Sequence, residues 1–292
     1  MSEPAFDARD PLARLLDRLD LAPAAAQGGA DVFEAPATSG MRRLFGGLIA
    51  AQSAMAAMRT AEAGRLHSLH GYFLRAGRPG VPLSFAVTRI RDGRAFAARR
   101  VVARQGADEI FEALASFTSH AGDVAHAHEP PLDDALAAGP GALPDWESVR
   151  ARETGEALRP PDALEVRVVR PEHDRPGAAP PPTRVVWMRP RGPLPDDPRV
   201  HAAVLIYASD RTLLRTAARL HGGMRGRLPA SLDHAVWLHR APRLDDWFVY
   251  ASETPIAEAG RALVLGRMLD RAGRRLATVA QEGLLRRPRL RS

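Results

Sequence analysis

Hydrophobic positions along the chain follow a helical period and then a strand period. Residues 45–58, FGGLIAAQSAMAAM, carry apolar side chains at the spacing of an α-helix. Strand-like segments rich in apolar and aromatic residues come next. These segments are residues 66–75, 82–91, 94–104 and 109–117. The pattern therefore predicts one helix followed by four strands.

The same order of elements returns in the second part of the chain. HAAVLIYASDRTLL, residues 201–214, predicts a second helix. The strand-like segments after it are residues 231–240, 246–254, 260–269 and 275–285. Additional strands are predicted at residues 31–36, 163–169 and 183–190.

Short matches between the two parts indicate an internal repeat. The tripeptide Gly-Arg-Ala occurs at 93–95 and at 260–262, and Phe85 corresponds to Phe248 at nearly the same offset. A helix and four long antiparallel strands, present twice, predict two α+β halves in which a sheet wraps a central helix. The predicted units are an N-terminal half (1–124), a linker rich in Pro, Ala and acids (125–162) and a C-terminal half (163–292).

One acidic residue interrupts the apolar pattern of the second helix. Counted at helical spacing, the neighbours of Asp210 include Ile206, Tyr207, Leu213 and Leu214, which are all apolar or aromatic. Such a stripe normally packs into a core, where an unpaired charge is costly. Asp210 is therefore a candidate functional residue, and its ordinary alternative is a buried structural carboxylate paired with an arginine.

Composition narrows the classes of function. The chain has no Cys, so disulfide scaffolds, cysteine zinc sites and thiol nucleophiles are excluded. Its net charge of +7 comes from scattered Arg without any Lys, and no one-sided basic surface or nucleic-acid partner is expected. No apolar run reaches the ~18 residues of a membrane span, and the acidic start MSEPAFDARD is unlike a signal sequence. We expect a cytoplasmic protein without a metal site.

Six stretches together resemble the thioesterase II type of acyl-CoA thioesterase, whose fold is a double hot-dog. They occur in order through both halves, across most of residues 30–286. The stretches are RRLFGGLIAAQSAM (42–55), HSLHGYFLRAG (67–77), RDGRAFAARRV (91–101), LPDDPRVHAAVLIYASD (194–210), SLDHAVWLHR (231–240) and AQEGLLR (280–286). The resemblance implies an α+β double hot-dog, with each antiparallel sheet wrapped around a central helix.

The resemblance also implies a catalytic group formed by Asp210, Ser231 and Gln281. The family often has Thr where this chain has Ser231, and Gln where it has Leu48. The residue types suit thioester hydrolysis, because Asp can accept a proton from water while a hydroxyl and a carboxamide hold that water in line. Gln281 shares a strand face with Ala277 and Val279, so we expect it to point inward.

The first half is expected to lack this chemistry. By the repeat, the counterparts of Asp210 are Gln52, Ser53 and Ala54, and the counterpart of Gln281 falls near Ser116. None of these is a carboxylate, which predicts one catalytic centre per chain. The arginines at 75, 78, 99 and 100 are candidates for binding the phosphates of CoA.

The pair Asp233-His234 offers an alternative acid–base site, which would suit a hot-dog enoyl-CoA hydratase. Adjacent residues of a strand face opposite sides, so the two side chains are not expected to act together.

We therefore expect an enzyme that hydrolyses fatty acyl-CoA, a small-molecule substrate, without a cofactor. A non-catalytic acyl-CoA-binding hot-dog protein and the hydratase remain alternatives. By resemblance, we also expect a homo-oligomer, either a dimer or a tetramer.

Overall fold

The computed structural model describes residues 10–38, 44–62, 64–130, 132, 136–137, 139–155, 162–175, 177–224, 226–227 and 229–286. Residues 42–43 of the first motif and both ends of the chain lie outside the described residues. The helices are α1 (Pro11–Leu19), α2 (Gly46–Arg59), α3 (Trp146–Thr154), α4 (Pro198–Ser209) and α5 (Leu213–Arg219).

The strands fall into two groups that match the predicted halves in order. Those of the first part are β1 (Ala22–Gln27), β2 (Ala30–Ala35), β3 (Arg65–Phe73), β4 (Leu83–Asp92), β5 (Phe96–Gln105) and β6 (Asp108–Thr118). Those of the second part are β7 (Leu164–Val168), β8 (Thr183–Pro190), β9 (Ala230–Ser231), β10 (Asp233–Leu238), β11 (Phe248–Glu258), β12 (Arg261–Leu269) and β13 (Arg275–Leu284).

All described strands belong to one 13-stranded sheet. Its order is β1-β2-β4-β5-β6-β3-β10-β13-β12-β11-β8-β7, and β9 pairs with the end of β13. The two parts join where β3 pairs antiparallel with β10, with His70 opposite Ala235 and Leu69 opposite Val236. One continuous sheet therefore carries both halves, as a double hot-dog requires.

The two central helices lie against each other inside this sheet. Asp210, just after α4, lies beside Gly47 at the start of α2. At the opposite end, Arg59 of α2 and Val200 of α4 line the same cavity, so the helices run antiparallel. Both helices are apolar around their whole circumference and are buried, which is the pattern of a core helix.

The strands that the sequence predicts are present, with ends shifted by a few residues. One exception is 231–240, which the structure divides at Leu232 into β9 and β10. The prediction does not include α1 and β1. Helix α1 begins with Asp10 as its N-cap and Pro11 as its first residue, and it buries Leu12, Leu15 and Leu19.

The predicted linker contains ordered structure, namely α3 within residues 125–162. Leu132, Leu136 and Leu143 pack against a separate small apolar cluster of the second part, which includes Trp187 and Trp247. The described residues of this segment therefore cover the sheet as well as connecting the parts. No helix in the described ranges has both the length and the apolar character to cross a membrane.

A buried arginine closes the C-terminal end of α2. The Arg99 side chain is 1% exposed. Its guanidinium donates to Thr60 Oγ1 at 2.8 Å and to the Thr60 carbonyl oxygen at 3.0 Å. It also donates to Asp92 Oδ1 at 2.5 Å. The end of a helix leaves carbonyl groups without partners inside the helix. Arg99, which lies on β5, donates a hydrogen bond to one of these groups at the end of α2.

We predict that Arg99→Met lowers the free energy of unfolding by roughly 3 kcal/mol, because it leaves the carbonyl and hydroxyl of Thr60 buried without their donor. Urea denaturation measures this change. Arg100→Met is the matched control on the same strand, since Arg100 pairs with Glu112 where both side chains are exposed. The control should change stability by no more than about 0.5 kcal/mol. Equal losses in the two variants would contradict the role given to Arg99.

Candidate active site

Asp210 lies at the end of a helix rather than in the middle of one. The predicted helix 201–214 is wrong in this respect: α4 ends at Ser209, Asp210 is its C-cap, and α5 begins only at Leu213. Thr212 between them has a φ of 67°, in the left-handed region that β-branched residues rarely adopt. This break turns the Asp210 carboxylate away from the apolar stripe and towards the first half of the chain.

The carboxylate of Asp210 accepts a hydrogen bond from the start of the other central helix. Gly47 N–H donates to Asp210 Oδ2 at 2.7 Å. The N-terminal end of α2 carries partial positive charge, which stabilises a carboxylate there. The site is therefore built from both halves of the chain, and Gly47 is a site residue that the sequence analysis did not identify.

Glycines at 46 and 47 permit this close approach. A Cβ added to Gly46 would lie 3.0 Å from Asp210 Oδ2 and 2.9 Å from the Phe73 ring. A Cβ added to Gly47 would lie 2.7 Å from the Phe45 ring and 2.8 Å from the carbonyl oxygen of Tyr207 in α4. Any larger residue would push the two helix ends apart.

Gln281 connects the predicted residues to one another. It lies on β13, is 1% exposed and points inward, as its strand face predicts. Its Nε2 donates to Ser231 Oγ at 2.9 Å, and hydrogen bonding by its side chain acts to lower the pKa of Asp210. Ser231 is held opposite Gly283 by the pairing of β9 with β13. The structure thus brings together all three residues, from the C-cap of α4, from β9 and from β13.

His234 is a fourth member of this cluster, although strand alternation predicts that it does not act together with Asp233. It is buried on β10, with Nδ1 2.5 Å from Gln281 Oε1 and Nε2 2.7 Å from Ser209 Oγ. Asp233 does point away from it, as strand alternation predicts, and accepts from the backbone N–H of Glu282. The available signal was the inward face that His234 shares with Val236 and Leu238.

Burial shifts the two ionisable groups of the cluster in opposite directions. Loss of solvent raises the pKa of Asp210 although part of its surface stays accessible, and His234, Gln281, the Gly47 amide and Arg211 only partly oppose this shift. Burial lowers the pKa of His234, and the nearby Asp210 partly opposes the change. Each group is thus displaced towards its neutral form, and the Asp210 pKa moves towards the value suited to a general base.

The first-half counterparts predicted from the repeat do not form a similar cluster. Gln52 and Ser53 are buried, and Gln52 Nε2 donates to the carbonyl of Arg18 in α1. Ser116 hydrogen-bonds His67 instead. Asp210 is the C-cap of α4, and the residue at the same position of α2 is Thr60. The repeat in the sequence therefore gives a correct correspondence for the strands and an incorrect one for the helix ends.

The expectation that Arg99 binds a CoA phosphate is wrong, because its side chain is buried against Thr60. Arg100 pairs with Glu112, and Arg78 pairs with Asp108 at 3.1 Å. Within the described part of the chain, no cluster of three His, Asp or Glu side chains has a geometry that could hold a metal ion.

Comparison with known proteins gives consistent results over both halves. Residues 161–284 match the family model for acyl-CoA thioesterase, and residues 34–118 match that for the acyl-CoA thioesterase N-terminal domain. The chain is 35% identical to acyl-coenzyme A thioesterase 8 of Mus musculus, over 84% of this chain and 81% of the relative. It is 32% identical to acyl-CoA thioesterase 2 of Haemophilus influenzae, over 85% and 89% respectively.

A solved structure agrees with these matches. The crystal structure of an acyl-CoA thioesterase II from Mycobacterium marinum superposes with a TM-score of 0.75 at 35% identity, covering 96% of this chain and 99% of that one.

We predict that Gly47→Ala lowers the free energy of unfolding by about 1–3 kcal/mol, because its Cβ would overlap the Phe45 ring and the Tyr207 carbonyl. Thermal or urea denaturation measures the loss. Gly141→Ala is the control, since an added Cβ there meets no atom within 4 Å. A Gly47→Ala protein as stable as this control would show that the two helix ends do not need their close contact.

Proposed function

This chain belongs to the acyl-CoA thioesterase family, and we propose that it hydrolyses fatty acyl-CoA with a water molecule held by Asp210, Ser231 and Gln281. The observation that carries the proposal is the Gln281 side chain, which donates to Ser231 Oγ and by hydrogen bonding opposes the rise in the Asp210 pKa. Three polar groups from separate elements converge there on the junction between the two halves. Such convergence in a buried setting is typical of a catalytic site.

In the proposed reaction, Asp210 acts as the general base. Its carboxylate takes a proton from the water while the water oxygen bonds to the thioester carbonyl carbon. The tetrahedral intermediate then collapses, the carbon–sulfur bond breaks, and the sulfur of CoA receives the proton. The products are a free fatty acid and CoA. Asp, Ser and Gln position water in this mechanism, so no covalent acyl-enzyme is needed.

The start of α2 supports this assignment in two ways. Its partial positive charge lies next to Asp210, where the negative charge of the attacked carbonyl would develop. Phe73, which contacts the same region beside Gly46, offers an apolar surface for the acyl group.

The enoyl-CoA hydratase alternative is not favoured. It requires a ring nitrogen of His234 to exchange a proton with substrate. Both nitrogens are already within hydrogen-bond distance of protein atoms, namely Gln281 Oε1 and Ser209 Oγ. A homodimer or tetramer and a cytoplasmic location remain predictions from the sequence.

We predict that Asp210→Asn lowers kcat for acyl-CoA hydrolysis by about 10²- to 10⁴-fold, because the amide cannot accept the proton from water. Release of free thiol from acyl-CoAs of increasing chain length measures this, and the protein's lack of Cys leaves no background from its own side chains. Asp31→Asn is the matched control, since Asp31 is an exposed partner of Arg89. Wild-type turnover that survives in Asp210→Asn would overturn the assignment.

Although Asp210→Asn should lose activity, it should not lose thermal stability. A carboxyl whose pKa is raised by folding destabilises the folded protein once the pH exceeds its unfolded pKa. At neutral pH, Asp210→Asn should therefore unfold at the wild-type temperature or above it. Calorimetry tests this, and a clearly lower unfolding temperature would contradict the raised pKa.

The pH profile provides a separate test. Because Asp210 must be ionised to act as a base, kcat/KM should fall as the pH falls through its raised pKa. The acidic limb of the profile should lie above the ordinary Asp value of about 3.9. Initial rates with one acyl-CoA across the acidic range measure its midpoint. A midpoint at or below the ordinary value would argue against Asp210 as the base.

A further inference from the structure

The Gln281 carboxamide can occupy its position in two orientations, and only one suits the proposed reaction. With Nε2 towards Ser231, the amide donates to Ser231 Oγ, and its hydrogen bonding acts to lower the pKa of Asp210. If the amide were turned over, Oε1 would face the Asp210 carboxylate, and two acceptors would repel each other. Something in the protein must therefore select the first orientation.

We propose that His234 is a positioning residue, held by Ser209, whose Nδ1–H fixes the orientation of the Gln281 carboxamide. Nδ1 lies 2.5 Å from Gln281 Oε1, an atom that can only accept a hydrogen bond. The ring must therefore carry a proton on Nδ1 for this contact to be a hydrogen bond. This role rests on the proposed function, because His234 affects the reaction only by orienting Gln281.

Ser209 contacts the other nitrogen of the ring. Its Oγ lies 2.7 Å from His234 Nε2 and 2.7 Å from the carbonyl oxygen of Ile206, and a hydroxyl has a single proton to donate to one of these two acceptors. In the proposed arrangement the proton goes to Nε2, so a neutral ring carries its own proton on Nδ1. The lowered pKa of His234 is consistent with a neutral ring. Ser209 is in the last turn of α4, directly before Asp210, so one helix end supplies the base and the group that orients its partners.

In the proposed arrangement the chain of hydrogen bonds has one direction. Ser209 donates to His234, His234 donates to Gln281, and Gln281 donates to Ser231. Ser231 Oγ accepts a hydrogen bond from the amide, so its own hydroxyl proton is free for a hydrogen bond to the water. Asp210 remains the acceptor. The relay thus sets one donor and one acceptor at the proposed position of the water.

Steady-state kinetics of three variants test the role. His234→Leu removes the donor, and we expect kcat to fall roughly 10- to 100-fold with little change in KM, because the buried ring does not touch substrate. His234→Asn should recover much of that kcat, since its amide N–H lies as far from the backbone as Nδ1. His239→Leu is the matched control: His239 follows β10, is exposed and hydrogen-bonds Thr278. It should keep wild-type kcat.

A double-mutant cycle separates positioning from general damage to the fold. With Gln281→Ala already present, His234→Leu should cause little additional loss of kcat. Independent losses that multiply would overturn the proposal. So would a folded His234→Leu protein with wild-type kcat, or a His234→Asn protein no more active than His234→Leu.

The tautomer can be measured without any variant being active. In wild-type protein labelled with ¹⁵N-histidine, the His234 signals, assigned by their absence from His234→Asn, should show a protonated Nδ1 and an unprotonated Nε2 at neutral pH. A ring protonated on Nε2 alone would overturn the proposal. If wild type released no CoA from any acyl-CoA, the proposed function would fail, whereas this spectrum would still decide the orientation of Gln281.

Discussion

The hydrogen bond from the Gly47 amide to the Asp210 carboxylate joins the start of one central helix to the end of the other. The two residues are 163 positions apart in sequence, and the bond exists only because the sheet holds α2 and α4 antiparallel and in contact. Burial raises the pKa of Asp210, while the helix N-terminus keeps its ionised form accessible. The chemistry of the site therefore depends on the packing of the two halves, not on the second half alone.

The sequence predicted most of the sheet because long antiparallel strands leave a local signal. It predicted less about the ends of helices. Asp210 was identified as unusual for being in an apolar helix, whereas in the structure it follows that helix. The residues that end α4 are defined by the left-handed Thr212 and by contacts with α2, and neither is visible in a period of 3.6. The same limit misaligned the first-half counterparts.

The candidate site shows where pattern and packing give different information. Strand alternation correctly placed Gln281 inward and separated Asp233 from His234. Alternation alone does not predict that His234 of β10 contacts Gln281 of β13. That contact depends on the register in which the two strands pair. Gly47 could not be found by pattern either, since its partner is a side chain from the other half. Non-local partners of this kind need the folded structure.

The cavity at the opposite end of the two central helices marks a second junction between the halves. There the end of α2 meets the start of α4, and Leu16 and Leu19 of α1 line a space of about 400 Å³. Two identical subunits related by a twofold axis would have to build both such junctions alike. Once the halves share one chain, each junction can change separately. The two junctions do differ, since helix α1 lies at one end and the carboxylate of Asp210 at the other.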